Sequence, residues 1–151
     1  MAKIVGLSRN LKLQWLNKVV ELASSNLTEQ EIKDQLNEYL SFEISSPTNL
    51  RKTREILMNI WVYENDISNK LREEAISIVR DMPEYALAAH WCMMLATYPV
   101  FVDMCKLIGR LSEFQDEITL SQIKQKLYDE WGERTTLYLS LIHISEPTRQ
   151  Y

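Results

Sequence analysis

Three cationic side chains stand close together in one predicted helix. Arg51, Lys52 and Arg54 lie in its first turns, within the run RKTRE. Backbone N–H groups at the start of a helix and cationic side chains can hold a phosphate together, so the basic run predicts a contact with DNA or RNA. The competing interpretation is a solvated helix face on which Glu55 pairs with its neighbours.

A second candidate DNA contact follows Gly132. The helix that ends there is predicted to begin at Thr119, whose spacing to Gln122 is that of a capping box, and ERTT then supplies capping threonines for another helix. Two helices joined by a short glycine turn form a helix-turn-helix candidate, although ordinary helical hairpins share the pattern. The candidate DNA-binding residues in this second helix are Arg134, Thr135 and Thr136.

Catalytic and metal chemistry have few candidates. His90, Cys92, Asp103 and Cys105 lie in one apolar stretch, but their spacing matches no recurring metal-ligand pattern. We interpret His90 as a core histidine that donates to a backbone carbonyl of a neighbouring helix; acid/base chemistry would need Asp103 beside it. Phosphate-binding loops, zinc-protease motifs and serine elbows are missing from the sequence. We therefore expect a protein that is not an enzyme and uses no cofactor or metal.

The apolar stretch is divided by Pro99. Proline disrupts a helix interior but fits a first turn, so we predict one helix over about 84–97 and a second that starts with Pro99. Each is too short to span a bilayer, which favours a buried hairpin over membrane insertion. Its methionines and aromatic residues are interpreted as packing, with a groove for a partner helix as the alternative. Cys92 and Cys105, with no signal peptide before them, predict buried reduced thiols in a cytoplasmic protein.

The composition favours a helical protein. The chain has 151 residues, 46% of them hydrophobic, and its three glycines and four prolines are too few for a turn-rich β protein. We predict an all-α fold, a compact bundle of about seven helices with a C-terminal helix-turn-helix, winged-helix-like unit. The net charge of −4 provides no global attraction to nucleic acid, so a DNA contact requires a local basic face.

Apolar periodicity and capping residues define the remaining helices. A first helix, capped by Ser8, is predicted from apolar residues at helical spacing, namely Leu11, Trp15, Leu16, Val19 and Leu22. Thr28 and Glu31 form a capping-box pattern that opens a second helix. The basic helix has a predicted inward side of Leu50, Thr53, Ile56, Leu57, Ile60 and Trp61. A fourth helix is marked by Ile67, Leu71, Ala75, Ile78 and Met82. Pro83 then separates an N-terminal subdomain, 1–82, from a C-terminal one, 83–138.

The last residues have a different character. Residues Leu139 to Arg149 read LSLIHISEPTR, which resembles the in-frame translation of a transposase-based sequencing adapter found at the ends of truncated metagenomic sequences. We therefore expect 139–151 to be a non-native tail that truncates the helix-turn-helix unit after about Tyr138, and we assign no site to His143.

The segment NEYLSFEISSPTNLRKTREILMNIW suggests a family. It contains Asn37, Leu40, Ser45 or Ser46, Thr48 and Arg51. With these residues, and more loosely through ATYPVFVDMCKLIGRL to GERTTL, the chain resembles the BrxA family, small helical proteins encoded in BREX phage-defence islands. The resemblance covers about residues 7 to 138 and implies a helical DNA-binding protein with helix-turn-helix character.

These patterns lead to competing hypotheses about function. The first is a non-enzymatic accessory protein of a prokaryotic phage-defence system that binds double-stranded DNA, with other phage-defence proteins as further partners. The alternative is a helical assembly or scaffold protein that docks a larger defence ATPase or methyltransferase through acidic patches, without touching DNA. A third, a membrane protein built on residues 84–111, conflicts with Pro99.

Overall fold

A computed structural model describes residues 11–131, and in this part of the chain all regular structure is helical. The elements are α1 (Leu13–Ala23), α2 (Glu29–Ser41), α3 (Pro47–Trp61), α4 (Asn69–Asp81), a 3-10 helix (Pro83–Tyr85), α5 (Ala86–Thr97), α6 (Pro99–Ser112) and α7 (Leu120–Trp131). The all-α prediction is confirmed. The helix predicted after Gly132, with Arg134, Thr135 and Thr136, lies outside the described residues.

The described helices form two compact units that divide between Thr97 and Tyr98. In the first unit, α1 contacts α2, α3, α4 and α5, and α3 contacts α2 and α5 as well. The helices α4 and α5, which flank the boundary predicted at residues 82 and 83, pack against each other. In the second unit, α6 packs against α7.

The core of the first unit is formed by the apolar sides of its helices. Its largest fully buried side chains are Leu36, Leu40, Leu57, Met58, Ile60, Trp61 and Met93. The predicted inward side of α3 is confirmed for every residue except Leu50, which is half-buried. Burial of large apolar side chains stabilises such a core by about 1.5–3 kcal/mol each, so the apolar periodicity determines how α3 is rotated against its neighbours.

Reciprocal hydrogen bonds between neighbouring residues cap the starts of α2 and α7. The Thr28 hydroxyl accepts from the backbone N–H of Glu31, and the Glu31 carboxylate accepts from the N–H of Thr28 at 2.7 Å. Thr119 and Gln122 make the same reciprocal pair. Both predicted capping boxes are confirmed, and the bond from the Thr28 N–H lowers the pKa of the Glu31 carboxyl.

Ser8, the predicted cap of the first helix, lies outside the described residues, but α1 begins at Leu13, after an extended Lys12. Instead of a local side-chain cap, a contact with the segment that follows α2 holds this end of the helix. The Glu43 carboxylate, just after α2, accepts hydrogen bonds from Lys12 Nζ at 3.0 Å, Gln14 Nε2 at 3.0 Å and Trp15 Nε1 at 2.9 Å. Since each of these donors is about thirty residues from Glu43 in the chain, no local sequence pattern reveals the contact.

The helix α4 buries only Ala75, while Leu71 and Met82 of its marking residues are exposed. The polar loop before it is ordered by Asn65, whose amide donates to the Asn59 carbonyl and accepts from the N–H of Ile67. Arg72 then donates to the Ile60 carbonyl near the end of α3. Side-chain hydrogen bonds to the backbone therefore contribute to the attachment of α4 beside a narrow apolar contact.

No single helix of residues 11–131 is long and apolar enough to span a membrane. The segments Pro83–Thr97 and Pro99–Ser112 reach that length and composition only when taken together across the break between them.

A stability prediction follows from Gly109, which lies inside α6 and has open space where a Cβ would be. Glycine costs about 0.8–1 kcal/mol relative to alanine in a helix interior, and valine is intermediate. We expect Gly109→Ala to stabilise the protein by about 0.5–1 kcal/mol and Gly109→Val to have a smaller effect, measured as thermal midpoints. A lower midpoint for Gly109→Ala than for the unchanged protein would contradict this account.

Candidate nucleic-acid interface

The helix α3 has one buried face and one exposed basic face. Ser46 caps it by accepting the backbone N–H of Asn49 at 3.3 Å, and Pro47 occupies its first turn. With Thr53 and Leu57 buried, Arg51 and Lys52 are exposed. The burial of the apolar face thus determines which cations of the basic run reach solvent.

Arg54 differs from its two neighbours, since its side chain is only 17% exposed. One guanidinium nitrogen donates to the Asn37 amide oxygen of α2 at 3.2 Å, and another donates to the Glu55 carboxylate at 2.7 Å. The second oxygen of that carboxylate accepts a hydrogen bond from the Tyr63 hydroxyl. Arg54 is therefore engaged in a polar cluster that links α2 to α3.

The charge state of this cluster follows from its hydrogen bonds. Burial tends to raise the pKa of the Glu55 carboxyl, but the hydrogen bonds from Tyr63 and Arg54 outweigh burial and leave the pKa lowered. Burial and the bond to Glu55 raise the pKa of the Tyr63 hydroxyl. Lys33 of α2 lies 5.0 Å from the centre of the Tyr63 ring, and its contact with Tyr63 raises the pKa of its ammonium group. Glu55 is thus held ionised, with its charge offset by Arg54.

Arg51 and Lys52 make no hydrogen bond or ion pair with any residue in the described range 11–131. Thr48 is also exposed and precedes them by three and four positions, so the three residues share one side of α3. We call Thr48, Arg51 and Lys52 the α3 basic surface. It offers two unpaired cations and a hydroxyl donor, which are groups that contact phosphate oxygens.

The difference between Arg54 and its neighbours can be measured as stability. Arg54→Ala removes two hydrogen bonds and leaves the half-buried Glu55 carboxylate without its cation, so we expect a loss of about 1–2 kcal/mol in the free energy of unfolding. Lys52→Ala, two residues away on the exposed side, should change it by less than about 0.5 kcal/mol. Urea denaturation of the two variants tests this, and equal losses would show that Arg54 is not held by its partners.

His90 is fully buried, as predicted for a core histidine. Its Nε2 lies 2.7 Å from the amide oxygen of Asn17 on α1, and its ring meets Trp61 edge-on with centroids 5.2 Å apart. An amide oxygen can only accept, so Nε2 is the protonated nitrogen. The predicted partner, a backbone carbonyl, is wrong: the acceptor is a side chain that reaches inward from an otherwise exposed residue.

Burial lowers the pKa of His90 to about 4. The unfolded chain binds a proton with an ordinary histidine pKa of about 6.5, so between these two values the unfolded state holds more protons than the folded state. We therefore expect acidification from pH 6.5 to pH 4 to remove about 3 kcal/mol of stability through this residue, and the loss from it should level off below pH 4.

The pH prediction needs a variant that does not titrate. His90→Gln keeps an amide N–H donor for Asn17, and the other titrating groups remain the same in both proteins. The unfolding free energy of the unchanged protein minus that of His90→Gln should fall by about 3 kcal/mol from pH 6.5 to pH 4. A difference that stays constant over this range would contradict the assignment of a neutral buried imidazole.

The prediction of buried cysteines is wrong, because Cys92 and Cys105 are both exposed free thiols. The apolar residues of α5 surround the whole helix, so periodicity could not indicate which side faces the core. Within residues 11–131, no group of three or more histidine, cysteine or acidic side chains is placed to hold a metal ion. Asp103, the carboxylate that acid/base chemistry at His90 would need, is half-buried, and the acceptor beside His90 is Asn17 instead.

Sequence reasoning missed a second group of cations, which lies in the unit formed by α6 and α7. Lys106 and Arg110 of α6 and Lys126 of α7 line a small cleft between these two helices. The spacing of Lys106 and Arg110 places them on one helix face, a signal that could have been noticed. The contribution of Lys126 depends on the packing of α7 and has no local signal.

Comparison of the chain with protein-family models, curated proteins and solved structures finds no match. The similarity to the BrxA family stays a prediction. The α3 basic surface and the cleft between α6 and α7, which we call the α6–α7 cleft, are the candidate functional sites of the described residues.

Proposed function

We propose that the protein is a non-enzymatic double-stranded-DNA-binding protein that contacts phosphates through the α3 basic surface. The observation that supports this most directly is the exposure of Arg51 and Lys52 without partners in the described structure, beside a neutralised Arg54–Glu55 pair. Cations that are already solvated and unpaired contact phosphate without breaking internal bonds, and this contact releases counterions from the duplex.

The proposed contact positions the protein on DNA without reading the base sequence. Lysine and arginine contacts to phosphate oxygens determine orientation and register, whereas sequence is read at base edges. Arg134, Thr135 and Thr136 keep their proposed role in base contact, which rests on the capping pattern after Gly132. A role in prokaryotic phage defence rests on the similarity of residues such as Thr48 and Arg51 to the BrxA family.

Charge reversal tests this contact. In the Arg51→Glu, Lys52→Glu double variant, two attractive contacts become repulsive. We therefore expect the affinity for a short fluorescent DNA duplex to fall by about tenfold or more at about 50 mM salt. The measurement is fluorescence anisotropy of the full chain.

A matched control separates a local contact from the effect of net charge. Lys70 and Arg80 are both exposed on α4, so Lys70→Glu with Arg80→Glu changes the net charge equally within the same unit. We expect at most about a threefold loss of affinity in this control, from long-range electrostatics alone. Equal losses in the two double variants would contradict a contact at the α3 basic surface.

A second candidate function is an assembly protein that docks a larger defence enzyme. It is favoured by Phe42, which is 83% exposed just after α2, since a large exposed aromatic side chain often anchors protein contacts. Under this alternative the full chain has no measurable duplex affinity, and reversing Arg51 and Lys52 changes nothing that involves DNA.

A further inference from the structure

The cleft in the second unit is lined by one face of each helix. From α6 come Asp103, Lys106, Leu107 and Arg110, which follow the spacing of neighbouring residues on a helix face. From α7 come Lys126, Leu127 and Glu130. The cleft therefore has three cationic and two acidic groups around a short apolar floor.

The cations of the cleft are available to a ligand. Lys106, Arg110 and Lys126 are exposed, and none makes a hydrogen bond or ion pair within the part of the chain that the structure describes. Of the two carboxylates, Asp103 is half-buried and already has an interaction partner, while Glu130 is exposed. The lining thus carries three positive and two negative charges, and among its exposed groups the cations outnumber the carboxylate by three to one.

The residues that line the cleft favour a compact oxyanion over an acidic helical peptide. Leu127 is only 1% exposed and Leu107 is half-buried, so the floor offers little apolar surface to anchor a peptide side chain. The planar guanidinium of Arg110 can donate two parallel hydrogen bonds to phosphate oxygens, and the two lysines can approach the same group as point charges.

We propose that the α6–α7 cleft binds a phosphate group of a nucleic-acid backbone, as a phosphate site separate from the α3 basic surface. The choice of nucleic acid as the source of the phosphate rests on the proposed DNA-binding function. The affinity of the cleft for a phosphate group does not depend on that function, so inorganic phosphate can test it separately.

Inorganic phosphate tests the cleft directly. We expect titration of the full, isotope-labelled chain with phosphate to shift the NMR signals of Lys106, Arg110 and Lys126 and to saturate at millimolar concentration. Arg110→Lys should weaken binding by about threefold or more, because it keeps the charge but removes the paired donors. Glu130→Gln, which removes the repelling charge, should strengthen binding by about twofold. The proposal would be overturned if phosphate caused no saturable shift. It would also be overturned if Glu130→Gln and Arg110→Lys bound phosphate with equal affinity.

Duplex DNA tests the source of the phosphate. Lys106→Gln with Lys126→Gln should lower duplex affinity by about tenfold in the anisotropy assay, while polyglutamate of matched charge should compete poorly with DNA. If Arg51→Glu with Lys52→Glu abolishes duplex binding and the cleft variant has unchanged affinity, the cleft proposal fails and the proposed function stands. If the cleft binds phosphate but the chain binds no duplex, the proposed function fails and duplex DNA is excluded as the source of the phosphate. If polyglutamate competed with DNA as well as an equal charge of DNA does, the phosphate proposal would fail and the ligand of the cleft would be an acidic protein segment.

Discussion

The burial of one face of α3 is the constraint on which the rest of the account depends. Leu57, Ile60 and Trp61 pack into the core of the first unit, and their burial leaves little freedom to rotate the helix about its axis. That rotation directs Arg54 towards Asn37 on α2 and leaves Arg51 and Lys52 in solvent. Three cations that are almost consecutive in the chain therefore have two different roles, one structural and the other open to a ligand.

Polar contacts make this packing specific. The hydrogen bond between Asn17 and His90 joins α1 to α5, and the Glu43 carboxylate joins the beginning of α1 to the end of α2. A buried imidazole is tolerated because it remains neutral and its N–H has an acceptor. Such contacts connect residues far apart in the chain and favour one arrangement of helices whose apolar faces could pack in several ways.

The sequence was sufficient for features set by local interactions. Capping boxes at Thr28 and Thr119 and the proline at position 99 mark helix boundaries within a few residues, because the groups involved are neighbours in the chain. Features set by tertiary contacts were not predictable in this way. The burial of Arg54 depends on Asn37, seventeen residues earlier, and the exposure of Cys92 depends on which side of a uniformly apolar helix meets the core.

The same distinction applies to the candidate sites. The α3 basic surface is visible in the sequence as a basic run, but the sequence does not separate the free cations from the paired one. The α6–α7 cleft needs Lys126 beside Lys106 and Arg110, which is a result of how two helices pack. Both sites share one physical property, exposed cations that lack partners in the described residues, on a chain whose net charge is −4.

That property makes salt dependence the most direct measurement of the central claim. Binding of the full chain to a DNA duplex should weaken steadily as salt rises, with a slope of log affinity against log salt of about −2 or steeper, because at least two phosphates are neutralised by local cations. A slope near zero, or no duplex binding even at low ionic strength, would contradict the account.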